Sequence, residues 1–219
     1  MSSHDKSSMA LFMVASFMAL FLWYRNEEYD RYLSGFVFLV GLMELIEYGI
    51  YNGANSQQAA KMVYVDLWAQ CLALSLGIYF FIQQNQTNSS TTENVISAIA
   101  FYNAIVFSIV FLVSVVYIIT TDDIFKSVPT SDQRVQYFTN DKSMLESLQW
   151  FYILGIFLPL VLLFGFYFWS NFGVALLILY LGLTACYVLS HYSIESFNSV
   201  WSYLMVGFIF ILWLANLKI

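Results

Sequence analysis

Apolar residues run through this chain in long blocks separated by short polar stretches. A helix needs about 20 mostly apolar residues to cross the hydrocarbon of a bilayer, within a range of roughly 17–25. On that measure seven spans are predicted: Met9–Tyr24, Leu33–Tyr51, Ala60–Gln83, Val95–Ile119, Leu148–Trp169, Phe172–Ser190 and Asn198–Ala215. None alternates polar and apolar residues at period two, which argues against a membrane β-barrel. Lipid offers no partner to a bare peptide group, so each segment must satisfy its own backbone as a helix. The expected fold is all-α: a polytopic transmembrane bundle of about seven helices, one domain over residues 1–219.

Smaller signals refine this. The first block ends on Leu22-Trp23-Tyr24-Arg25-Asn26, bulky where signal cleavage needs small residues, so a retained helix is expected. Pro159 removes a backbone donor inside the fifth span and predicts a kink there. Trp23, Trp150, Trp169, Trp201 and Trp213 fall near span ends, where amphipathic rings suit the headgroup level. Most connections are short. The exception is the hydrophilic stretch 120–147, which carries Asp122, Asp123, Lys126, Asp132, Arg134, Asp141, Lys142 and Glu146. It reads as a solvated connector, with a short surface helix as the alternative. No inverted repeat of the transporter kind is visible.

Composition agrees with the blocks. Of 219 residues, 60% are hydrophobic and 10% charged, whereas soluble domains carry roughly 25% charged residues. The net charge of −6 argues against a nucleic-acid binder, since phosphate contacts need clustered Lys and Arg. Cys71 and Cys186 both lie inside apolar blocks and read as small packing residues, with no disulfide framework or metal spacing.

Let side A be the face of the membrane that holds the N-terminus. Side A carries Lys6, Lys61, Lys126, Arg134 and Lys142; side B carries Arg25, Arg31 and Lys218. Basic residues concentrate on cytoplasmic loops, so the expected orientation is N-terminus cytoplasmic, C-terminus lumenal or extracellular. The side B loop Gln84–Glu93 holds Asn85-Gln86-Thr87 and Asn88-Ser89-Ser90, two N-glycosylation patterns that fit a lumenal face.

The candidate chemistry is acidic. Met43-Glu44-Leu45-Ile46-Glu47-Tyr48 places two carboxyl groups inside the second span, three residues apart and so on one helix face. An ionised group at the bilayer centre costs roughly 2.5–3.5 kcal/mol or more on insertion scales. The third span carries Asp66 and Gln70, four apart. A short connection makes the two spans antiparallel neighbours. At about 1.5 Å per residue, Glu47 and Asp66 lie roughly 7–9 Å in from side A, and Glu44 and Gln70 roughly 12–15 Å. The helical hairpin can therefore bring both pairs to matched depths. His191, at the end of the sixth span, belongs to the same half of the membrane, and reads more readily as a wetted interfacial residue than as a proton-transfer group. Asn103 is roughly central in the fourth span. Three carboxyl groups cannot all stay ionised in a dry bundle. No Arg or Lys falls deep in any span, so protons or a bound cation are the natural counterparts. The competing reading is a structural network in which protonated carboxyls bond to Gln70, Tyr and Ser on neighbouring helices.

Several function classes fall away. A retinal Schiff base needs a buried lysine in the last span, which has none. A three-histidine zinc site cannot be built from His4 and His191 alone. There is no nucleophile elbow, P-loop or dinucleotide fingerprint, so no cofactor is predicted, and no residue is singled out as catalytic or as a metal ligand. An intramembrane enzyme acting on lipid ranks last.

Leu22-Trp23-Tyr24-Arg25-Asn26, Tyr29-Asp30-Arg31, Leu42-Met43-Glu44-Leu45-Ile46-Glu47-Tyr48 and Trp68-Ala69-Gln70 resemble a group of uncharacterised multi-pass membrane proteins encoded by large DNA viruses and some algae. In that group a Gln/Glu-Leu-Ile-Glu-aromatic stretch in the second helix precedes an aromatic-x-Gln stretch in the third. The likeness covers roughly residues 15–85; this chain has Met1–Ser8 in place of the group's Cys-containing start. It implies that Glu44, Glu47 and Gln70 belong to a shared motif and that the protein is viral; it implies no activity.

The expected function is therefore a small channel, transporter or receptor-like protein for protons, cations or a small polar ligand. Glu44 and Glu47 would bind, Asp66 would assist, Gln70 would orient them, and His191 would stand nearby. The expected partners are the lipid bilayer and those protons or cations, with the oligomeric state open. The alternative is a structural or membrane-remodelling protein of a viral or organelle membrane, without transport activity.

Overall fold

The computed structural model of the chain describes residues 3–26, 30–85, 91–121, 125–128, 135–139, 150–159, 182–183 and 200. In order these form α1 (Ser3–Arg25), α2 (Asp30–Tyr51), α3 (Ser56–Asn85), α4 (Thr91–Thr120), β1 (Phe125–Val128), β2 (Gln136–Thr139) and α5 (Trp150–Pro159). Four of them, α1 to α4, are long and apolar enough to cross a membrane. The described residues thus contain five helices rather than the expected seven. The fifth expected span is seen as α5, which ends its described course on Pro159, so the predicted kink falls outside. The sixth and seventh also lie outside the described residues, apart from Gly182, Leu183 and Val200, which are helical.

Local chemistry sets the turns. At the end of α2, Gly53 adopts φ +88, a left-handed conformation that favours glycine. Ala54 N then donates to Gly49 O at 3.0 Å and Gly53 N to Ile50 O at 3.2 Å, the paired bonds of a Schellman motif. Two residues on, Asn55 Oδ1 accepts from Gln57 N at 3.0 Å and Gln58 N at 3.1 Å, capping α3. One short segment therefore stops one helix, reverses the chain and starts the next. Between α1 and α2, Asn26 turns the chain with φ 51. There Arg25 holds the buried Asp30 through two bonds, Nε to Oδ2 at 2.5 Å and Nη2 to Oδ1 at 2.8 Å. This forked geometry is the strong form of an ion pair.

The helices pack in chain order, with α2 against α1 and α3, and α3 against α2, α4 and β1. Small residues let backbones approach, as they do between helices in lipid. A Cβ on Gly41 would lie 2.6 Å from Ala15 Cβ of α1. A Cβ on Gly155 would lie 2.6 Å from both Cys71 Sγ and the Phe107 ring, so α5 sits close on α3 and α4. Cys71 is buried there and donates to Tyr152 O at 3.6 Å, in keeping with a packing role; Cys186 lies outside the described residues.

The outer faces decide what solvent the fold suits. In α2 and α3, 61% of the apolar stretch is buried, against 28% in α1 and 22% in α4. Yet the exposed side of α4 presents Ile105, Ile109, Leu112, Val113 and Val116, and that of α1 presents Met13, Phe17 and Leu20. A water-soluble helix would carry polar residues on that side. Apolar on both faces, these helices are compatible with an integral membrane protein. Trp23 and Trp150 are exposed near helix ends, while Trp68, mid-helix, is buried. At about 1.5 Å per residue, the 30-residue α3 and α4 outrun a hydrocarbon core of about 30 Å.

The hydrophilic stretch 120–147 departs from expectation. Instead of a bare connector or a surface helix, it contains an antiparallel pair, β1 with β2, in which Ser127 opposes Tyr137. Both side chains are buried, at 2% and 0% exposure, whereas Val128 is exposed. Ser127 Oγ donates to Ser56 O at 2.8 Å, pinning the strands to the first turn of α3. The end of α2, the start of α3 and the end of α4 accordingly share one end of the bundle.

Replacing Gly41 with Val is expected to lower stability by about 1–3 kcal/mol through overpacking against Ala15. Gly35→Ala, whose Cβ meets nothing within 4 Å, should shift it by no more than about 0.5 kcal/mol. Denaturant unfolding of the detergent-solubilised protein, followed by helical circular dichroism, measures both.

Candidate functional site

The acidic residues singled out by the sequence are all buried. Glu44 and Glu47 of α2 are at 0% exposure, Asp66 and Gln70 of α3 at 4% and 2%. Glu47 is joined by a hydrogen bond to β2, and the Asp66–Gln70 pair to α5.

The first of these links joins α2 to the hairpin. Tyr137 of β2 donates its phenol to Glu47 Oε1 at 3.2 Å. Its cross-strand neighbour Ser127 is bonded to α3, so the ring is held from behind while its hydroxyl reaches the carboxyl. Burial pushes the Tyr137 phenol well above its ordinary range, and the adjacent Glu47, which repels a phenolate and accepts its proton, pushes it further. Glu44 and Tyr51 act in the same direction, which places both glutamates within electrostatic reach of one ring.

The second link joins α3 to α5. Tyr152 donates to Gln70 Oε1 at 2.6 Å, and Gln70 Nε2 donates to Asp66 Oδ2 at 2.7 Å. The order is chemically determined. A phenol that donates to the amide oxygen leaves the amide nitrogen to donate to the carboxyl. The i, i+4 spacing of Asp66 and Gln70 supplies one bond, and α5 fixes the amide for it.

The sequence correctly predicts that the carboxyl groups lie inside the bundle. It also predicts matched depths for Glu47 with Asp66 and for Glu44 with Gln70. Asp66 lines a cleft with Leu42 and Ile46. Glu44 lies about 200° around the helix from both, at about 100° per residue. Asn103, central in the fourth span, is buried and donates to Ser75 Oγ at 3.0 Å, linking α4 to α3. His191 lies outside the described residues, as does Asn88, whereas Asn85 is the last residue of α3. Tyr137 and Tyr152 are the bonding partners of these groups that sequence reasoning did not single out. Both are far along the chain from the groups they bond, and no local spacing connects them. Among the described residues, no group of three His, Cys, Asp or Glu could hold a metal ion.

No family model matches this chain, and no curated protein matches it either. The likeness to viral and algal membrane proteins therefore rests on the quoted residues alone.

The Tyr137 phenol gives a pH prediction of definite sign. Its folded pKa is raised above the ordinary 10.0, so the stability from burying it neutral is present below that value. It is lost as pH rises above 10.0 toward the raised one. Alkaline unfolding of the detergent-solubilised protein should be less steep in Tyr137→Phe than in wild type. At neutral pH the same variant should be less stable by about 1–2 kcal/mol, for the lost bond to Glu47.

Proposed function

We propose that this is a multi-pass helical membrane protein whose Glu44–Glu47 pair binds a proton or a small cation, with the β1–β2 hairpin closing the pair toward side A. One observation carries the reading. Tyr137 comes from a segment outside the long apolar helices, yet its hydroxyl reaches a carboxyl group at 0% exposure.

Two carboxyl groups three residues apart on one helix, in a medium of low dielectric, disfavour double ionisation. A proton shared between them, or a cation bound by both, relieves that repulsion. A phenol that donates to Glu47 can be exchanged for water or an ion when the hairpin lifts, which also breaks the Ser127–Ser56 bond. Transport, or ligand-triggered signalling, would then amount to alternating the Tyr137 contact with an open state. The Asp66–Gln70 pair, bonded toward α5, takes no part in this step. The excess of Lys and Arg on side A supports placing the hairpin, and the N-terminus, in the cytoplasm. A seven-span topology would put His191 at that same end.

The structural alternative has its own support, since the Tyr137–Glu47 bond also fastens the hairpin to α2. Reconstitution separates the two. In vesicles loaded with a pH-sensitive dye, or with potassium or sodium indicators, the wild-type protein should conduct above the empty-vesicle rate. Glu44→Gln and Glu47→Gln should reduce that flux by about tenfold, the factor attached to one charge-assisted contact. Tyr137→Phe should raise the resting leak. Wild-type flux equal to that of empty vesicles, with no change in proton or cation binding in either glutamine variant, overturns the proposal and leaves the structural role.

A further inference from the structure

A second cleft lies at the other end of α2 from Glu47 and Tyr137. It is a cavity of about 420 Å³ between α1 and α2, walled by Ala19, Leu20, Gly35 and Phe38 and reaching Ala73 of α3. Gly35 leaves part of this space, since a Cβ there would meet nothing within 4 Å. Leu20 and Phe38 are exposed, so the cleft opens through the apolar flank of the bundle. Pockets of about 300–1,000 Å³ with apolar walls and a few placed polar groups are the usual form of a small-molecule site.

One end of the cleft is cationic. Arg31, in the first turn of α2, and Trp23, in the last turn of α1, both line it and both are exposed. The Arg31 guanidinium lies over the Trp23 ring, 5.6 Å from its centroid, and its Nε donates to Trp23 O at 3.4 Å. Both ties run to a residue of the cleft itself, so the charge stands at its mouth. Neither tie neutralises that charge. Asp30, the acid beside Arg31 in the chain, gives both carboxyl oxygens to Arg25. Among the described residues Arg31 has no ion pair, its Nη groups make no hydrogen bond, and no acid lines the cleft. Ser16 and Phe38, also on the cleft, lie deeper by about 10 Å, at about 1.5 Å per residue. An apolar trough therefore runs inward from the cation.

We infer that this cleft seats a phospholipid of the bilayer, its phosphate on Arg31 and the start of one acyl chain along Leu20, Gly35 and Phe38. Three arguments select this occupant. An exposed guanidinium with an uncompensated charge and unbonded Nη groups matches a phosphate, which it can grip with two bonds. A tryptophan at a helix end suits the headgroup level, so cation and trough follow the order of head and chain. The opening through an apolar flank admits a ligand arriving from lipid, not a water-soluble solute.

Photolabelling of the full-length protein in dodecyl maltoside micelles, which hold no phosphate, tests this. The probes are a phosphatidylcholine and a diacylglycerol with the same diazirine-bearing chains. Neither carries net charge, and only the first has a phosphate. Phosphatidylcholine should label the cleft residues of α1 and α2 about tenfold more than diacylglycerol, the factor expected of one hydrogen bond to a charged group. Arg31→Gln should erase the preference while leaving background labelling by both. Gly35→Phe, which fills the trough and keeps the arginine, should suppress the phosphatidylcholine signal too. It provides the reading should Arg31→Gln fail to elute as a folded species. Glu44→Gln should leave the labelling unchanged, so this inference and the proton or cation reading fail separately. Equal labelling by the two probes overturns the inference. So does a preference that survives both cleft variants, or labelling spread evenly over the outer face of α4. Displacement of the probe by millimolar inorganic phosphate marks a soluble-anion site and overturns it as well.

Discussion

A polar side chain in hydrocarbon must find its partners within the protein, and that demand joins these helices. An apolar contact in lipid has little to gain, since lipid tails are as apolar as leucine. Direction and register come from the exceptions. Tyr152 reaches Gln70 and so holds α5 against α3; Asn103 reaches Ser75 and so holds α4 against α3; Tyr137 reaches Glu47 and so holds the hairpin against α2. Around these bonds, Gly41 and Gly155 bring neighbouring backbones close enough for dispersion to act. Among the described residues, α2 and α3 carry most of the buried polar groups, and they are more enclosed than α1 and α4. In such a fold, the innermost helices are those whose polar cargo most needs neighbours.

Asp66 and Glu47 differ in how each is bonded. Asp66 has one oxygen bonded through an amide that another helix orients. Glu47 is met by a phenol from outside the long helices, on a hairpin whose own strands are only four residues each. A helix-to-helix bond such as Tyr152–Gln70 can part only if the bundle itself opens. The Tyr137 bond instead joins a short hairpin to a long helix. The first kind of bond suits a permanent scaffold, and under the proposed function the second is the one that exchanges partners.

The long helices were legible because their signals are local. Apolar blocks give α1 to α4, while the cap at Asn55 and the turn at Gly53 are seen only in the structure. Burial of Glu44, Glu47, Asp66 and Gln70 followed from position within those blocks. The hairpin was not legible, for a physical reason. Its strands bury Ser127 and expose Val128, the reverse of what hydrophobic patterning reads. Its register depends on what the bundle offers Tyr137, which lies 90 residues from Glu47. The facing of the two pairs was equally hidden. Equal depth follows from rise per residue, but which flank of α2 faces α3 depends on close contacts such as Gly41 on Ala15, which spacing does not encode.

The reversal at Asn52–Asn55 bears on how the protein enters a bilayer. With Gly53 and Asn55 locking the turn, α2 and α3 emerge from synthesis as a linked pair, and neither can partition far without drawing the other along. Glu44, Glu47 and Asp66 would each burden a helix inserting alone. Carried in together, their unfavourable transfer is spread over two strongly apolar segments, and each helix shields part of the other from oil. Lengthening that turn with a flexible insert would uncouple the pair and leave the more acidic α2 to insert by itself.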